Sequence, residues 1–202
     1  MLDAAMRRLI DPPLNAAAAA IAPKISANSI TIGGFLLGLG SVYMVVQGQF
    51  TAALVLFALN RLADGLDGAV ARQRAPSDLG AYLDIVSDFF LWALLPIGFL
   101  LHNMDNAFGV SVLLSSFAMS MTAFLAYAIQ AEKRGETTAA QGEKGFYYLA
   151  GLAEGTETVI FFAAVMVYPN AFATLALLFA AFVFLSVIGR LIVSIQRLRT
   201  PN

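Results

Sequence analysis

Residues 79–101 read LGAYLDIVSDFFLWALLPIGFLL, an apolar run interrupted by two aspartates, Asp84 and Asp88. About 20 apolar residues are enough for an α-helix to cross the hydrocarbon of a bilayer. An ionised carboxylate inside such a helix is costly unless it is paired or binds a metal ion. The stretch therefore predicts a membrane helix that carries a functional site.

The rest of the chain repeats this apolar character. It has 202 residues, of which 59% are hydrophobic and 12% are charged, which is typical of an integral membrane protein. The predicted fold class is an all-α membrane protein with six transmembrane helices, at about 29–47, 51–72, 79–101, 108–131, 146–168 and 171–195. Because the breaks between the runs are short, residues 25–202 are predicted to form one six-helix domain.

Residues 1–24 form a separate N-terminal segment. Early arginines and the pair Pro12 and Pro13 interrupt any continuous apolar core, so a cleavable signal peptide is not indicated. The segment predicts a helix at the cytoplasmic membrane interface, kinked or restarted at the prolines. The alternative is a disordered leader.

The positive charges indicate the orientation in the membrane. With six spans and a cytoplasmic N-terminus, all twelve Lys and Arg residues fall on or near the cytoplasmic side, and the opposite loops carry none. The positive-inside rule therefore predicts a multi-pass protein of the cell (inner) membrane, with both termini cytoplasmic. The chain has no cysteine, which excludes disulfides and thiolate metal ligands.

Two pairs of aspartates flank a polar stretch around Pro76. Asp64 and Asp67 precede it, Asp84 and Asp88 follow it, and each pair has a spacing that places both members on one helix face. A turn at the proline predicts a helical hairpin in which Asp64 meets Asp88 and Asp67 meets Asp84. Counted from the cytoplasmic start of the third span near residue 79, Asp84 and Asp88 would lie about 8 and 13 Å inside the membrane.

Four neighbouring carboxylates repel one another unless cations intervene. Hard oxygen ligands favour Mg²⁺ or Mn²⁺, and a two-metal site suits a phosphate-bearing substrate. Gly68 and Gly80 would let a nucleotide approach the backbone, and Arg72 could offset the charge of a diphosphate. A buried ion network or a proton relay is the alternative.

The run Asp64-Gly-Leu-Asp67-Gly68-Ala-Val-Ala71-Arg72, followed by Gly80-Ala-Tyr-Leu-Asp84-Ile-Val-Ser-Asp88, resembles the signature of the CDP-alcohol phosphotransferase family. That signature is Asp-x-x-Asp-Gly-x-x-Ala-Arg, then, after a short spacer, Gly-x-x-x-Asp-x-x-x-Asp, and every fixed position is present. The resemblance implies an enzyme of phospholipid biosynthesis. It would transfer a substituted phosphate, with CDP-diacylglycerol the expected donor, to an alcohol acceptor and release CMP.

The resemblance also implies roles for individual residues. Two divalent metal ions per active site would be held by Asp64, Asp67, Asp84 and Asp88, and Asp88 would also be the general base. Donor contacts would come from Gly68, Arg72, Ser77, Gly80, Asn28, Ser29 and Thr31. For Asn28, Ser29 and Thr31, helix capping is the alternative. The implied partners are a CDP-linked lipid donor, an alcohol acceptor, the lipid bilayer and a second copy in a homodimer, with no nucleic acid.

The acceptor stays open among serine, inositol phosphate, glycerol phosphate and lipid alcohols. Phe89 stands where relatives that make phosphatidylglycerol phosphate often have lysine, and Pro96 stands where serine-using relatives often have proline. Weak acceptor candidates are Glu154 and Glu157, with Arg190 or Arg61 as ion-pair partners, and Lys133 and Arg134. The alternative for the glutamates is that they form a structural ion pair. The alternative for Lys133 and Arg134 is that they belong to a solvated loop with no role in binding.

Two other functions share these features. One is transfer from CDP-choline or CDP-ethanolamine to diacylglycerol, which uses the same signature. The other, from a different class, is a divalent-cation or proton-coupled transporter, which would need polar groups through both membrane halves, whereas Asp105 is the one acid of the outer loops. Gly34 and Gly38 are predicted to form a close-packing helix face.

Overall fold

The computed structural model describes residues 3–74, 77–135 and 155–199, and almost all of them are helical. Within these ranges the α-helices are α1 Asp3–Ile21, α2 Ala27–Val46, α3 Phe50–Arg74, α4 Asp78–His102, α5 Ala107–Lys133, α6 Gly155–Val167 and α7 Phe172–Arg199. Two short 3-10 turns, Met104–Asn106 and Pro169–Ala171, precede α5 and α7. The predicted all-α class is therefore confirmed.

Each predicted span corresponds to a helix, and residues 146–154 of the fifth lie outside the described part. Among the described residues, four segments are long and apolar enough to cross a membrane. They are Ala27–Val46, Asp78–His102, Met104–Lys133 and Pro169–Arg199. Helix α3 carries several charges in its second half, and the described part of α6 has 13 residues.

Helix α1 continues through Pro12 and Pro13 without a break in its helical assignment. The predicted restart at the prolines, and the alternative of a disordered leader, are therefore wrong for residues 3–21. Proline in a helix interior is costly, and packing of α1 against α3 offsets that cost. Leu14 packs so closely on Gly65 that a Cβ at Gly65 would lie 2.7 Å from Leu14 Cδ1.

Helix α2 packs closely against both α3 and α4. A Cβ at Gly34 would lie 2.8 Å from Ala63 Cβ on α3, and one at Gly38 would lie 2.5 Å from Leu91 Cδ1 on α4. The predicted close-packing face of Gly34 and Gly38 is confirmed, and it faces two different helices. Asn60 adds a polar link, because its Nδ2 donates to the Gly34 carbonyl oxygen at 2.8 Å.

An aromatic core joins α3, α4, α6 and α7. Trp92 stacks on Phe162 with ring centroids 5.6 Å apart, and Phe57 meets both rings edge-on. Phe99 stacks on Phe172 at 4.2 Å. Close packing and ring contacts stabilise this part of the bundle. It lies in the first half of α3 and the second half of α4, next to the charged residues.

Candidate active site

Side chains connect α3 and α4, whose backbones are not in close contact along their described lengths. Helix α2 packs against both α3 and α4 and so bridges the two helices of the predicted hairpin. The charged ends of α3 and α4 still face each other. The Arg61 guanidinium bonds Asp88 Oδ1 through Nη2 at 2.8 Å and lies 3.5 Å from Asp64 Oδ2 through Nη1. Asp64 and Asp88 thus meet, as predicted, with an arginine between them.

The other two aspartates lie beside this pair. Asp67 is 4% exposed, and Thr31 Oγ1 donates a hydrogen bond of 2.5 Å to its Oδ2. Asp84 is exposed, and its carboxyl group lies near that of Asp64. The four predicted carboxylates therefore converge, and three elements hold them in place: α2, α3 and α4.

A cleft of about 340 Å³ opens beside the carboxylates, where α2 and α4 begin and α3 ends. It is lined by Ser26, Ala27, Asn28, Thr31, Asp67, Gly68, Ala71, Arg74, Ser77, Gly80, Ala81 and Asp84. The size is within the roughly 300–1,000 Å³ typical of small-molecule sites. Two helix N-termini, two carboxylates and one arginine thus border the same space.

Helix caps explain why the chain places polar groups at this cleft. The side chains of Ser26 and Ser77 accept hydrogen bonds of 3.1 Å from the backbone N–H groups of Ser29 and Gly80, which caps α2 and α4. Ser26 is therefore the N-cap of α2, whereas Asn28, Ser29 and Thr31 lie inside the helix. The capping alternative for these three residues is wrong.

The predicted donor-binding residues lie in and around the cleft. A Cβ at Gly80 would lie 3.1 Å from both Asn28 Oδ1 and Ser77 Oγ, so glycine is what this close approach accommodates. Ser29 is exposed beside Ser26, with their hydroxyl oxygens 2.8 Å apart. Arg72 is exposed next to Gly68 at the edge of the site, where a Cβ on the glycine would lie 3.5 Å from Arg72 Nη1.

Sequence reasoning missed several residues of the site. The sequence indicates Arg61 only as a partner for the glutamates of the fifth span, yet its guanidinium bonds Asp88 and lies beside Asp64. Its position three residues before Asp64 could have revealed this, because residues at that spacing share a helix face. Arg74 and Ser26 line the cleft, and Asn60 orients Arg61, but no spacing in the sequence distinguishes them.

The four aspartates provide the ligands that Mg²⁺ and Mn²⁺ prefer, carboxylate oxygens from rigid helices. Within the described ranges, no three acidic or histidine side chains are already gathered closely enough to enclose an ion. In these ranges Arg61 contacts both Asp64 and Asp88, and Thr31 binds Asp67. The donor set fits a hard divalent cation, and closing around one requires the carboxylates to turn from these partners.

None of the weak acceptor candidates that the structure describes lines the cleft. Glu154 is outside the described residues, and Glu157 is in the first turn of α6. Arg190 of α7 donates to the backbone oxygen of Ser120 on α5 at 3.2 Å. Arg134 donates to the carbonyl oxygens of Arg197 and Leu198 and so caps the end of α7, while Lys133 is exposed in the last turn of α5.

The helices and the cleft together define a multi-pass helical membrane protein with a carboxylate site at one end of its bundle. The chain belongs to the CDP-alcohol phosphatidyltransferase family, whose model matches residues 24–188. The match includes all four aspartates and the cleft. The family resemblance drawn from the spacing of the aspartates is thereby confirmed.

Relatives of known name agree with this membership. The chain is 38% identical over 192 residues to the inner membrane protein YnjF of Escherichia coli strain K12, covering 94% of this chain and 93% of that protein. It is 28% identical to the archaetidylinositol phosphate synthase of Methanothermobacter thermautotrophicus, over 96% of this chain and 92% of that one. The phosphatidylcholine synthase of Borreliella burgdorferi is 28% identical over 43% of this chain and 42% of its own length. No solved structure matches the chain significantly.

Proposed function

We propose that this protein transfers a phosphatidyl group from CDP-diacylglycerol to an alcohol acceptor, with release of CMP. The observation that carries the proposal is the convergence of Asp64, Asp67, Asp84 and Asp88 beside a cleft that Gly68, Gly80 and Arg74 line. A membrane-embedded bundle with such a cleft suits an enzyme whose donor is a lipid and whose product stays in the bilayer.

In the proposed reaction, the acceptor oxygen bonds to the phosphorus that carries the lipid. The bond from that phosphorus to the bridging oxygen breaks, and CMP leaves with the electron pair. Asp88 takes the proton of the acceptor hydroxyl. Two Mg²⁺ or Mn²⁺ ions held by the four aspartates would supply charge neutralisation of the diphosphate.

The donor is proposed to bind through groups around the cleft. Gly68 and Gly80 have no side chain to obstruct a nucleotide, and Ser77, Asn28 and Thr31 present hydrogen-bonding groups there. Ser29 and Arg72 lie at the edge of the same site, where Arg72 can pair with the diphosphate. Arg74, which lines the cleft, adds a second cation for the same purpose.

The test is a product assay on purified protein with labelled CDP-diacylglycerol, Mg²⁺ or Mn²⁺ and a panel of alcohols. The panel includes serine, inositol phosphate, glycerol 3-phosphate and choline, and the readouts are CMP release and lipid identity. Asp67→Asn should abolish turnover while its elution profile stays that of the wild type. Full activity in Asp67→Asn would contradict the metal-ligand assignment.

Two further arms separate the alternatives. An assay with CDP-choline or CDP-ethanolamine as donor and diacylglycerol as acceptor tests the reaction in which the lipid is the acceptor. Release of CMP in that assay alone would contradict CDP-diacylglycerol as the donor. Uptake of ⁵⁴Mn²⁺ into vesicles containing the protein, without nucleotide, tests the transporter. CMP release without uptake is the expected result.

The proposed topology has six crossings, with α3 and α6 added to the four segments of spanning length, and both termini and the active site on the cytoplasmic side of the inner membrane. The support is that the turn after α2 and the 3-10 turns before α5 and α7 carry no Lys or Arg. Helix α1 would lie at the cytoplasmic interface. A Cys at position 105 should react only with reagents added from the outer side, and labelling from the cytoplasm alone would contradict the topology.

The protein is proposed to work as a homodimer, as the family resemblance implies. Gly189 leaves open space on its helix surface, which a second copy could use for close approach. Light scattering in nanodiscs should give a protein mass of two 21.5 kDa chains. A single chain per active particle would contradict the dimer.

A further inference from the structure

Arg61 is the least expected charge in the site, because it stands among the proposed metal ligands. Its side chain is 14% exposed, and its guanidinium contacts neighbours on several sides. Nε donates to Asn60 Oδ1 at 2.8 Å, and the two terminal nitrogens reach Asp64 and Asp88. The guanidinium carbon lies 4.8 Å from the ring centroid of Trp92. These contacts hold the Arg61 side chain in one orientation, unlike that of a freely moving surface arginine.

Asn60 connects this arrangement to the packing of the bundle. It is 3% exposed, and its amide bridges the Gly34 carbonyl of α2 and Arg61 Nε of α3. The planar guanidinium is therefore oriented before any ligand arrives. Arg61 and its supports, Asn60 and Trp92, lie where the aromatic core ends and the carboxylate site begins.

The guanidinium uses oxygens that a divalent ion between α3 and α4 would need. Asp64 Oδ2 contacts it from the next turn of α3, and Asp88 Oδ1 contacts it from α4, across the gap between the two helices. One positive charge beside four carboxylates relieves their mutual repulsion. The same charge repels a divalent cation that enters the site.

We infer that Arg61 is a built-in counter-cation: it holds Asp64 and Asp88 before a divalent ion binds, and it lowers the affinity of the site for that ion by competing for their oxygens. The inference rests on the proposed metal-dependent function. Arg61 is a positioning residue in this account, because it acts through the two carboxylates. A divalent ion bound by both carboxylates would take the place of the guanidinium on their oxygens.

Removing the charge should therefore have two effects of opposite sign. Arg61→Met keeps an unbranched side chain against Trp92 and Phe57 but removes the positive charge. Without metal, its melting temperature should fall, because the carboxylates lose their counter-cation. Its affinity for Mn²⁺ should rise at least about tenfold, because the ion no longer competes with a fixed charge. An arginine that served only as a structural clasp would lower stability without tightening metal binding.

The experiment measures Mn²⁺ affinity by calorimetry and by electron paramagnetic resonance, with melting curves at zero and saturating Mn²⁺, on the purified full chain in nanodiscs. Arg190→Met is the matched control, because Arg190 is also a half-buried arginine near an aromatic ring, that of Phe124. Its Mn²⁺ affinity should equal that of the wild type. Arg61→Met should show the tighter binding and a larger rise in melting temperature on adding metal.

Arg61→Lys keeps the test decisive if Arg61→Met does not fold. Lysine retains the charge but cannot contact Asn60, Asp64 and Asp88 at once, so its Mn²⁺ affinity should lie above that of the wild type. Unchanged or weaker Mn²⁺ binding in the variants that fold would overturn the inference and leave the transferase proposal intact. The inference is also overturned, with the transferase proposal intact, if the wild type releases CMP only with metal yet binds Mn²⁺ no more weakly than either variant. Absence of Mn²⁺ binding to the wild type would overturn the metal site itself.

Discussion

The two halves of the helix pair α3 and α4 differ sharply. In the first half of α3 and the second half of α4, Phe57 and Trp92 are buried in a stacked aromatic core. In the other halves lie Asp64 of α3 and Asp88 of α4, and Arg61, at the boundary between the halves of α3, contacts both carboxylates. One half is packed with rings and the other is left open for a ligand.

The comparison teaches how a membrane bundle can keep like charges together. Close packing in the aromatic half, and of α2 against both helices, sets the distance between α3 and α4. The carboxylates of the open half are then held near one another although they repel. Structural stability and chemistry are thus assigned to neighbouring turns of the same helices, and substitutions in the two halves should have separable effects.

The largest expected effect falls on the open half. Asp88→Asn should reduce turnover by about 10²–10⁴-fold, because it removes the proposed base and disturbs a metal ligand. Donor affinity should change far less, since Gly68, Arg72 and Arg74 remain. CMP release and calorimetric binding of CDP-diacylglycerol provide the two measurements, with Asp105→Asn as a control that removes a distant exposed carboxylate. Parallel losses of affinity and rate would make Asp88 a binding residue only.

The next effect falls on the aromatic half. Phe162 is 0% exposed and contacts Trp92 and Phe57, so Phe162→Ala should leave a cavity and cost about 3 kcal/mol of stability. Phe108→Ala is the matched control, because that ring is 70% exposed. Unfolding in mixed micelles compares the two variants. If they unfold alike, the stacked rings do not carry the stability of this half.

A smaller effect is expected where the halves join. Gly34→Ala would place its Cβ 2.8 Å from Ala63 Cβ, which cannot rotate away, and α3 would have to shift at a cost of about 1–3 kcal/mol. Because α3 carries Asp64 and Asp67, turnover should fall as well. Gly33→Ala, with no atom within 4 Å of its new Cβ, should leave melting temperature and CMP release unchanged. Equal behaviour of the two glycine variants would contradict the tight α2–α3 contact.

The smallest effect concerns donor binding at the edge of the open half. Arg72→Ala should weaken CDP-diacylglycerol binding by about tenfold, because one charge-assisted contact to the diphosphate is lost. Turnover at saturating donor should change much less. Arg199→Ala removes the same charge from the exposed end of α7 and should leave affinity as it is. A loss in turnover without a loss in affinity would assign Arg72 to the reaction step.

Local sequence determined a large part of this protein. Apolar runs of about 20 residues predicted the helices, because a helix satisfies its own backbone hydrogen bonds and its length follows from bilayer thickness. The spacing of Asp64, Asp67, Asp84 and Asp88 predicted that they would share helix faces and identified the family. These features depend on a period of 3.6 residues, which can be read from neighbours along the chain.

Only the tertiary structure decided how these faces meet. The bond from Arg61 to Asp88, the bond from Thr31 to Asp67 and the bridging of α3 and α4 by α2 all join residues far apart in the chain. Helical periodicity specifies which way a side chain faces, but not which helix it faces. That choice comes from close approach at Gly34 and Gly38 and from ring stacking around Trp92, which depend on the shapes of complete helix surfaces.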